Sequence, residues 1–451
     1  MEKLFKLKER KSTIRIEFIG GLTTFFAMAY ILFVNPNYLS ATGMNWGSVF
    51  TATCIASAIG CFLTAILANA PFAQAPGMGL NAFFAFTVAT GTAGYGMGYT
   101  YQQGLTIVLL SGLVFLALML SPLREAIISS IPVSLKSAIS AGIGLFIAFI
   151  GLIGSGSGLI KLDEANAITA LQFVTENGLN FGAIITITGV ILIGVLMAWK
   201  VKGAIFIGIV ISSVLYYAVG IPAGFVDKPT VAFDFSNITL SGTFFAFDFN
   251  GIFQHGFLAL ATAVISFALV DCFDTVGTLV GTATEAKLVD EKGNMEGADK
   301  ALVADAVATV TGACLGTSTV TTYVESATGI SEGARTGLST FVVGILFLLS
   351  LVFAPVAGLI PAAATAPALI IVGVLMLKNA VNVAWNDIEE AIPAFLAIVM
   401  MPFAYSISDG IGFGFISYVL IKVLRGKAKQ VPVMLYVISA LFILMYVLKN
   451  I

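Results

Sequence analysis

Two aspartates three residues apart, Asp271 and Asp274, stand in SFALVDCFDTVGTLVG (residues 266–281), a stretch otherwise apolar enough for a lipid bilayer. A charge at the centre of a membrane helix costs ~2.5–3.5 kcal/mol on insertion scales, so a carboxylate there must be paired, hydrogen-bonded or used. Three residues apart on a helix, the two lie near one another on one side. They can bond backbone amides freed by irregular neighbours, accept hydrogen bonds from a ligand's N–H groups, or carry a proton. Glu325, in YVESATG, is a second acidic site ahead of a short helix expected to begin near Ser326. Anions are favoured near helix N-termini, so Glu325 either caps that helix or serves a ligand beside it. Asn81 follows Gly77 and Gly79 in APGMGLNAFFAF. Its amide both donates and accepts, either for a ligand or for the local loop. The two glycines permit close backbone approach. Phe83, Phe84 and Tyr323 are candidates to stack on a flat ring, or are core. Thr275, Thr278, Ser318 and Thr319 either bond irregular backbone, line a cavity or sit at helix interfaces. His255, the one histidine, lies just before a span and reads as structural.

The elements that position these residues are membrane helices. Of 451 residues 58% are hydrophobic and 10% charged, whereas a soluble domain is about a quarter charged. The net charge of −2 gives no reason to expect nucleic acid or an acidic partner. Cys54, Cys61, Cys272 and Cys314 lie in apolar spans without metal-ligand or disulfide spacing and read as small core residues. The start, MEKLFKLKERKSTIR, has no cleavable signal pattern and reads as a cytoplasmic basic leader.

Apolar windows of about 20 residues give spans at 17–36, 46–69, 76–90, 100–120, 132–154, 181–200, 202–219, 256–281, 299–316, 319–331, 336–353, 361–378, 388–405 and 408–424, with a further apolar stretch at 431–449. With a cytoplasmic N-terminus and Lys449 counted inside, every one of the 22 Lys and Arg except Lys161 and Lys228 falls on the inner side, as the positive-inside rule requires. The last stretch is either a fifteenth span, which moves Lys449 outside, or a helix along the cytoplasmic face.

Two segments are irregular. PFAQAPGMGLNAFFAF (71–86) and GTSTVTTYVESATGISEGAR (316–335) hold too much Gly, Pro, Ser and Thr for lipid-facing helices. Non-helical backbone is tolerated at membrane depth only inside protein or along a wet cavity. Both are therefore expected to be half extended and half helical, meeting inside the bundle. Each is the third segment of a group of seven, and weak echoes link the halves, as between IPVSLKSAISAGIGLFIAFIG and IPAAATAPALIIVGVLM. Inverted repeats with paired interrupted segments mark a secondary transporter and its binding site.

GGLTTFFAMAYILFVNP, APGMGLNAFFAF, ALVDCFDTVGTL and TTYVESATGISEGARTGL, in that order and spacing, resemble the AzgA-like purine nucleobase permeases of the nucleobase cation symporter 2 superfamily, from about residue 12 to about residue 424. The resemblance implies an all-α polytopic protein of 14 transmembrane segments in a seven-plus-seven inverted repeat, with short extended stretches in segments 3 and 10. It implies a leader (1–16), a core domain (17–120 and 256–353) and a gate domain (132–219 and 361–424), before the C-terminal helix (431–449). The implied activity is import of hypoxanthine, guanine or adenine across the cytoplasmic membrane with a proton as coupling ion and no other cofactor. Relatives of this architecture are commonly dimers through the gate domain.

The resemblance places a substrate-binding acid at Asp271. An ionised carboxylate only accepts hydrogen bonds, which suits the donor edge of guanine or hypoxanthine. Glu325 would hold the substrate with it, and Asn81 would read a carbonyl or ring nitrogen, with Gly79, Phe83, Tyr323, Thr275, Ser318 and Thr319 around them. Asp271, Asp274 and Glu325 are the core acids identified as proton carriers, leaving Asp274 as a supporting residue or proton site. Three rival readings differ in what they require. An inorganic-anion carrier of the same architecture needs a basic residue or bare helix N-termini at the midplane, where Arg335 does not reach. An intramembrane aspartyl protease carries a GxGD-type motif that is absent here. Uracil and xanthine permeases usually carry an Asn-containing motif after the tenth-span acid, where this chain reads SATGISEGAR.

Overall fold

The computed structural model describes residues 2–89, 97–121, 131–153, 158–162, 168–171, 174–175, 178–227, 238–285 and 297–449; Lys228 lies outside them. Among the described residues eight helices, from Ile14–Ser40 to Ile407–Leu424, are long and apolar enough to cross a membrane. Shorter apolar helices, among them Met78–Val88, Ala204–Gly220 and Phe257–Cys272, fill positions between them. Side chains start several of these helices by satisfying free amide donors. Asn45 Oδ1 accepts from the Ser48 N–H at 3.0 Å, and Thr100 and Gln103 form a reciprocal capping box.

Span 1 is two helices, Ile14–Met28 and Ile31–Ser40, separated at Ala29 and Tyr30. Pro36, inside the second, cannot donate to the Leu32 carbonyl one turn back. At the N-terminal end of span 1 the buried Glu17 accepts from the Ser12 hydroxyl at 2.6 Å and from the Arg335 N–H at 2.9 Å. It also accepts from the Thr336 and Ser339 N–H groups, each at 3.3 Å, and so satisfies the start of span 11, Gly337–Leu349.

Segments 3 and 10 are half extended and half helical. The strand Gln74–Pro76 pairs antiparallel with Val320–Thr322, Gln74 opposite Thr322 and Pro76 opposite Val320. Helix follows each strand: Met78–Ala82 widening into a π-helical turn Phe83–Val88, and Ser326–Ser331. A two-stranded ladder buried in a bilayer needs partners on its outer edges, and it has them. Cys61 Sγ lies 3.3 Å from both the N–H and the carbonyl oxygen of Gln74. The Ala73 N–H donates to Ser326 Oγ at 3.0 Å, and the Tyr323 N–H donates to the Ala73 carbonyl at 2.9 Å. Cys61 is thus more than a small core residue.

Spans 2, 4, 9 and 11 pack on one another around this ladder, while spans 5, 6, 7, 12 and 13 form a second packed group. Spans 5 and 12 approach through Gly144 and Gly373. A Cβ on either would stand 2.8 or 2.5 Å from the other's carbonyl oxygen, the close backbone approach that small residues allow in membranes. At the end of span 14 the buried Glu389 accepts from Lys422 at 3.1 Å, Arg425 at 3.0 Å and Lys427 at 2.8 Å.

The stretch after span 14 is the helix Val433–Lys449, 17 residues long, or ~25 Å at 1.5 Å per residue. It runs antiparallel to span 14. Near its start the Tyr436 hydroxyl donates to the Ala428 carbonyl at 3.0 Å. Farther on, Phe442 and Tyr446 close over Gly412, and the Tyr446 hydroxyl reaches the Asp409 carbonyl at 3.5 Å. The helix thus packs lengthwise along span 14, and it is not among the eight helices long and apolar enough to cross a membrane.

Candidate functional site

Spans 8 and 9, Phe257–Glu285 and Ala298–Leu315, each carry an aspartate followed four residues later by a threonine. The two pairs bond reciprocally. Thr309 of span 9 donates to Asp271 Oδ2 at 2.8 Å, and Thr275 of span 8 donates to Asp305 Oδ2 at 2.8 Å. Four residues are about one helical turn, so two packed helices bring each threonine level with the other's acid. The strand of segment 10 is tied to the same four side chains. Thr309 Oγ1 accepts the Val320 N–H at 3.3 Å, and the Val320 carbonyl, 3.1 Å away, competes with Asp271 for its one proton. Thr275 and Thr321 share a 2.7 Å hydroxyl contact, and the Thr322 hydroxyl donates to Asp305 Oδ1 at 3.1 Å. Gln74 Nε2, from the paired strand, donates to the same Oδ1 at 3.2 Å.

Asp305 corrects the expectation that Asp271, Asp274 and Glu325 are the acids of the core. It is fully buried and joins segments 3, 8, 9 and 10. It sits inside ALVADAVATVTGACLG, a window apolar enough to hide it, and the usable signal was the repeated Asp-x-x-x-Thr. Donor count separates the two buried acids. Asp305 receives three side-chain donors on its two oxygens. Asp271 is 1% exposed, receives Thr309 on Oδ2, and has an Oδ1 with no partner.

Asp274, one turn on, is half-buried, and no hydrogen bond reaches its carboxylate among the described residues. Glu325 does not cap the helix that follows it. Its Oε1 instead accepts from the Tyr30 hydroxyl at 2.8 Å, at the break in span 1. Among the described residues no ion pair reaches Asp271, Asp274, Asp305 or Glu325, and no group of three His, Cys, Asp or Glu is placed to hold a metal.

Asn81 and Ser318 are brought together, the Ser318 hydroxyl donating to Asn81 Oδ1, while Asn81 Nδ2 points to the Pro76 carbonyl at 3.4 Å. Beside them Thr319 Oγ1 is buried without a partner. Tyr323 donates its hydroxyl to the Pro76 carbonyl at 2.6 Å. Phe83 is fully buried with its ring 4.6 Å from that of Phe267, and Phe84 lies against Gly104. Thr275 is committed to Asp305 and Thr321 as described, and Thr278 is half-buried. The two glycines make room for protein. A Cβ on Gly77 would stand 2.6 Å from Thr321 Cγ2, and one on Gly79 would overlap Ile143 Cγ2 of span 5. His255 packs edge-on against Tyr99, ring centroids 4.8 Å apart, and contacts Gln254. That is a structural setting.

The arrangement is a buried cluster of acids, with acceptors unfilled among the described residues, beside the irregular backbone of segments 3 and 10. It can take hydrogen-bond donors of a flat heterocycle, or a proton. The sequence matches the family described as Permease family (Xan_ur_permease) over residues 15–413. It is 42% identical over 444 residues to the guanine/hypoxanthine permease PbuO of Bacillus subtilis (strain 168), covering 97% of this chain and 98% of that one. It is 40% identical over 446 residues to the adenine permease AdeP of Escherichia coli (strain K12), covering 98% and 95%. Among solved structures it matches the transmembrane domain of a cyanobacterium bicarbonate transporter, BicA, with a TM-score of 0.65 at 16% identity, covering 88% of this chain and 97% of that one. At that identity the likeness is one of fold.

Proposed function

The chain belongs to the Permease family, and from that membership we propose that it imports purine nucleobases (hypoxanthine, guanine and adenine) across the cytoplasmic membrane with a proton. The observation that carries this reading is Asp271 Oδ1, a buried acceptor left open in a site without a pairing cation. A carboxylate oxygen accepts ring N–H or amino groups and repels anions, which favours a nucleobase over an inorganic anion despite the shared fold. The purine names of relatives at 40–42% identity favour the purine branch over uracil and xanthine. Asp271 and Glu325 bind the base and Asn81 reads its acceptor edge, with Asp271, Asp274 and Glu325 as proton carriers. A proton taken from outside neutralises an acid, so the core slides or rocks past the gate with less buried charge. Lower proton activity inside then releases both. The N-terminus is cytoplasmic, the activity is transport without chemical conversion, and the gate joins two copies. Span 6, Phe181–Ala198, only 28% buried, offers surface for that contact.

The test is uptake of labelled nucleobases by proteoliposomes, with and without an imposed pH gradient and with sodium varied. The three purines accumulate under an inward proton gradient, a protonophore abolishes this, and Asp271→Asn does not accumulate them. Sulfate competition, sodium dependence, a preference for uracil, or normal accumulation by Asp271→Asn overturns the corresponding part.

A further inference from the structure

We infer that Tyr30 is a positioning residue for the solute site: its hydroxyl holds one oxygen of Glu325 so that the other, Oε2, stays open to a ligand donor. This deepens, and rests on, the reading of Glu325 as a purine ligand. Tyr30 stands where span 1 is interrupted, between Ile14–Met28 and Ile31–Ser40. Ala29 and Tyr30 keep right-handed helical dihedrals there, and the Tyr30 carbonyl still accepts from the Phe33 and Val34 N–H groups at 3.1 Å, so near-helical backbone fixes where the side chain enters the bundle. The phenol is 2% exposed and donates to Glu325 Oε1 at 2.8 Å across 295 residues of sequence.

Both ends of this contact are anchored. The Tyr30 ring lies 6.5 Å from that of Tyr323, whose hydroxyl is fixed on the Pro76 carbonyl at 2.6 Å. Glu325 lies just past the paired strand, after Tyr323 and Val324, and starts the short helix Ser326–Ser331 without capping it. Close backbone packing holds that helix against span 1. A Cβ on Gly20 would stand 3.0 Å from the Gly329 carbonyl oxygen, and one on Gly329 would overlap Gly20 O and Thr24 Oγ1. Spans 1 and 10 are therefore locked together one turn or two below the hydrogen bond.

A glutamate has three side-chain torsions, and an unheld one loses that freedom when it binds. A carboxylate with one oxygen already filled presents its second in a single direction, which lowers the ordering cost at the moment of binding. Besides Tyr30, the Glu325 carboxylate meets its own backbone N–H, and among the described residues no further side chain donates to it. Tyr30 itself need not touch the solute. Its effect belongs to affinity, with the steps after binding left intact.

The experiment compares wild type and Tyr30→Phe, purified in lipid nanodiscs. Equilibrium binding of labelled hypoxanthine, guanine and adenine, uptake kinetics in proteoliposomes, and the melting transition are measured on both. Tyr30→Phe should raise Kd and KM about tenfold, the scale of one hydrogen bond to a charged group. Vmax should stay within about twofold and the melting transition within about 2 °C. In a Glu325→Ala background, adding Tyr30→Phe should change Kd by less than about twofold, because there is no carboxylate left to position. An unchanged Kd in Tyr30→Phe, a loss confined to Vmax, a drop in melting of many degrees with loss of binding, or full additivity with Glu325→Ala each overturns the inference. Wild-type protein that binds none of the three purines overturns the purine reading and this inference together. Wild-type binding with an indifferent Tyr30→Phe overturns this inference alone.

Discussion

Replacing Asp305 separates two roles of a buried acid, holding hydrogen bonds and carrying charge. The carboxylate accepts from Gln74 Nε2, Thr322 Oγ1 and Thr275 Oγ1 at 3.2, 3.1 and 2.8 Å. Asp305→Ala strands all three donors in a dry interior. Interhelical hydrogen bonds in bilayers average ~0.6 kcal/mol each, so three give about 2 kcal/mol before any cavity term. At roughly 2 °C per kcal/mol for large domains, the apparent melting transition should fall by about 4 °C or more, with purine uptake lost. Asp305→Asn should behave differently. Its amide oxygen can stay on the side of Gln74 and Thr322, and its NH2 can donate to Thr275, whose hydroxyl can turn toward Thr321 at 2.7 Å. Most of the hydrogen bonding survives while the charge disappears, so melting should stay within about 2 °C of wild type. The assay is intrinsic-fluorescence melting of purified protein in one lipid composition. If the alanine variant melts with wild type, Asp305 does not join the segments. If asparagine destabilises as much as alanine, the charge itself is what holds them.

Gly79→Ala places a methyl on Ile143 of span 5, and overpacking of this kind costs ~1–3 kcal/mol; uptake should fall at least fivefold while purine binding changes less than about threefold. Ile143→Ala in the same chain should restore uptake, and failure to do so would place the defect away from the contact of spans 3 and 5. The C-terminal helix yields a topological expectation. With Tyr446 beside Asp409 and Tyr436 beside Ala428, the chain ends on the face where span 14 begins, so a C-terminal alkaline phosphatase fusion should be active in cells where an N-terminal GFP fusion fluoresces. An inactive phosphatase alongside normal transport would put the helix back on the cytoplasmic face.

What the sequence disclosed, and what it withheld, follows from how far each residue's partner lies along the chain. Segments 3 and 10 were legible because irregular composition at membrane depth has few physical outcomes, and Gln74–Pro76 paired with Val320–Thr322 is one of them. Asp271 and Glu325 were legible because a charge in an apolar run is costly and conspicuous. Asp305 is just as costly, yet its compensation comes from Gln74 across 231 residues and Thr275 across 30, so only the repeated Asp-x-x-x-Thr marked it locally. Tyr30 carried no signal, being one aromatic among 36 Phe, 12 Tyr and 3 Trp, until the partner of its hydroxyl was visible. Gly79 was read as a close approach, and the atom a side chain would meet there, Ile143 Cγ2 of span 5, is one that composition cannot name.

The irregular backbone and the buried acids, noticed separately in the sequence, are one device. A strand at the midplane has free N–H and carbonyl groups, and the antiparallel partner satisfies only one edge. Thr309 serves the other edge at Val320, accepting the N–H, while the Val320 carbonyl and Asp271 compete for its one hydroxyl proton. Thr275 and Thr322 similarly link the strand to Asp305. Each hydroxyl therefore satisfies an acid and helps hold the strand. If Asp271 takes a proton or a solute donor as proposed, Thr309 is the contact through which that would reach the backbone of Val320, five residues before Glu325. Thr309→Val, which removes the shared hydroxyl and keeps the shape, is the substitution on which that coupling depends.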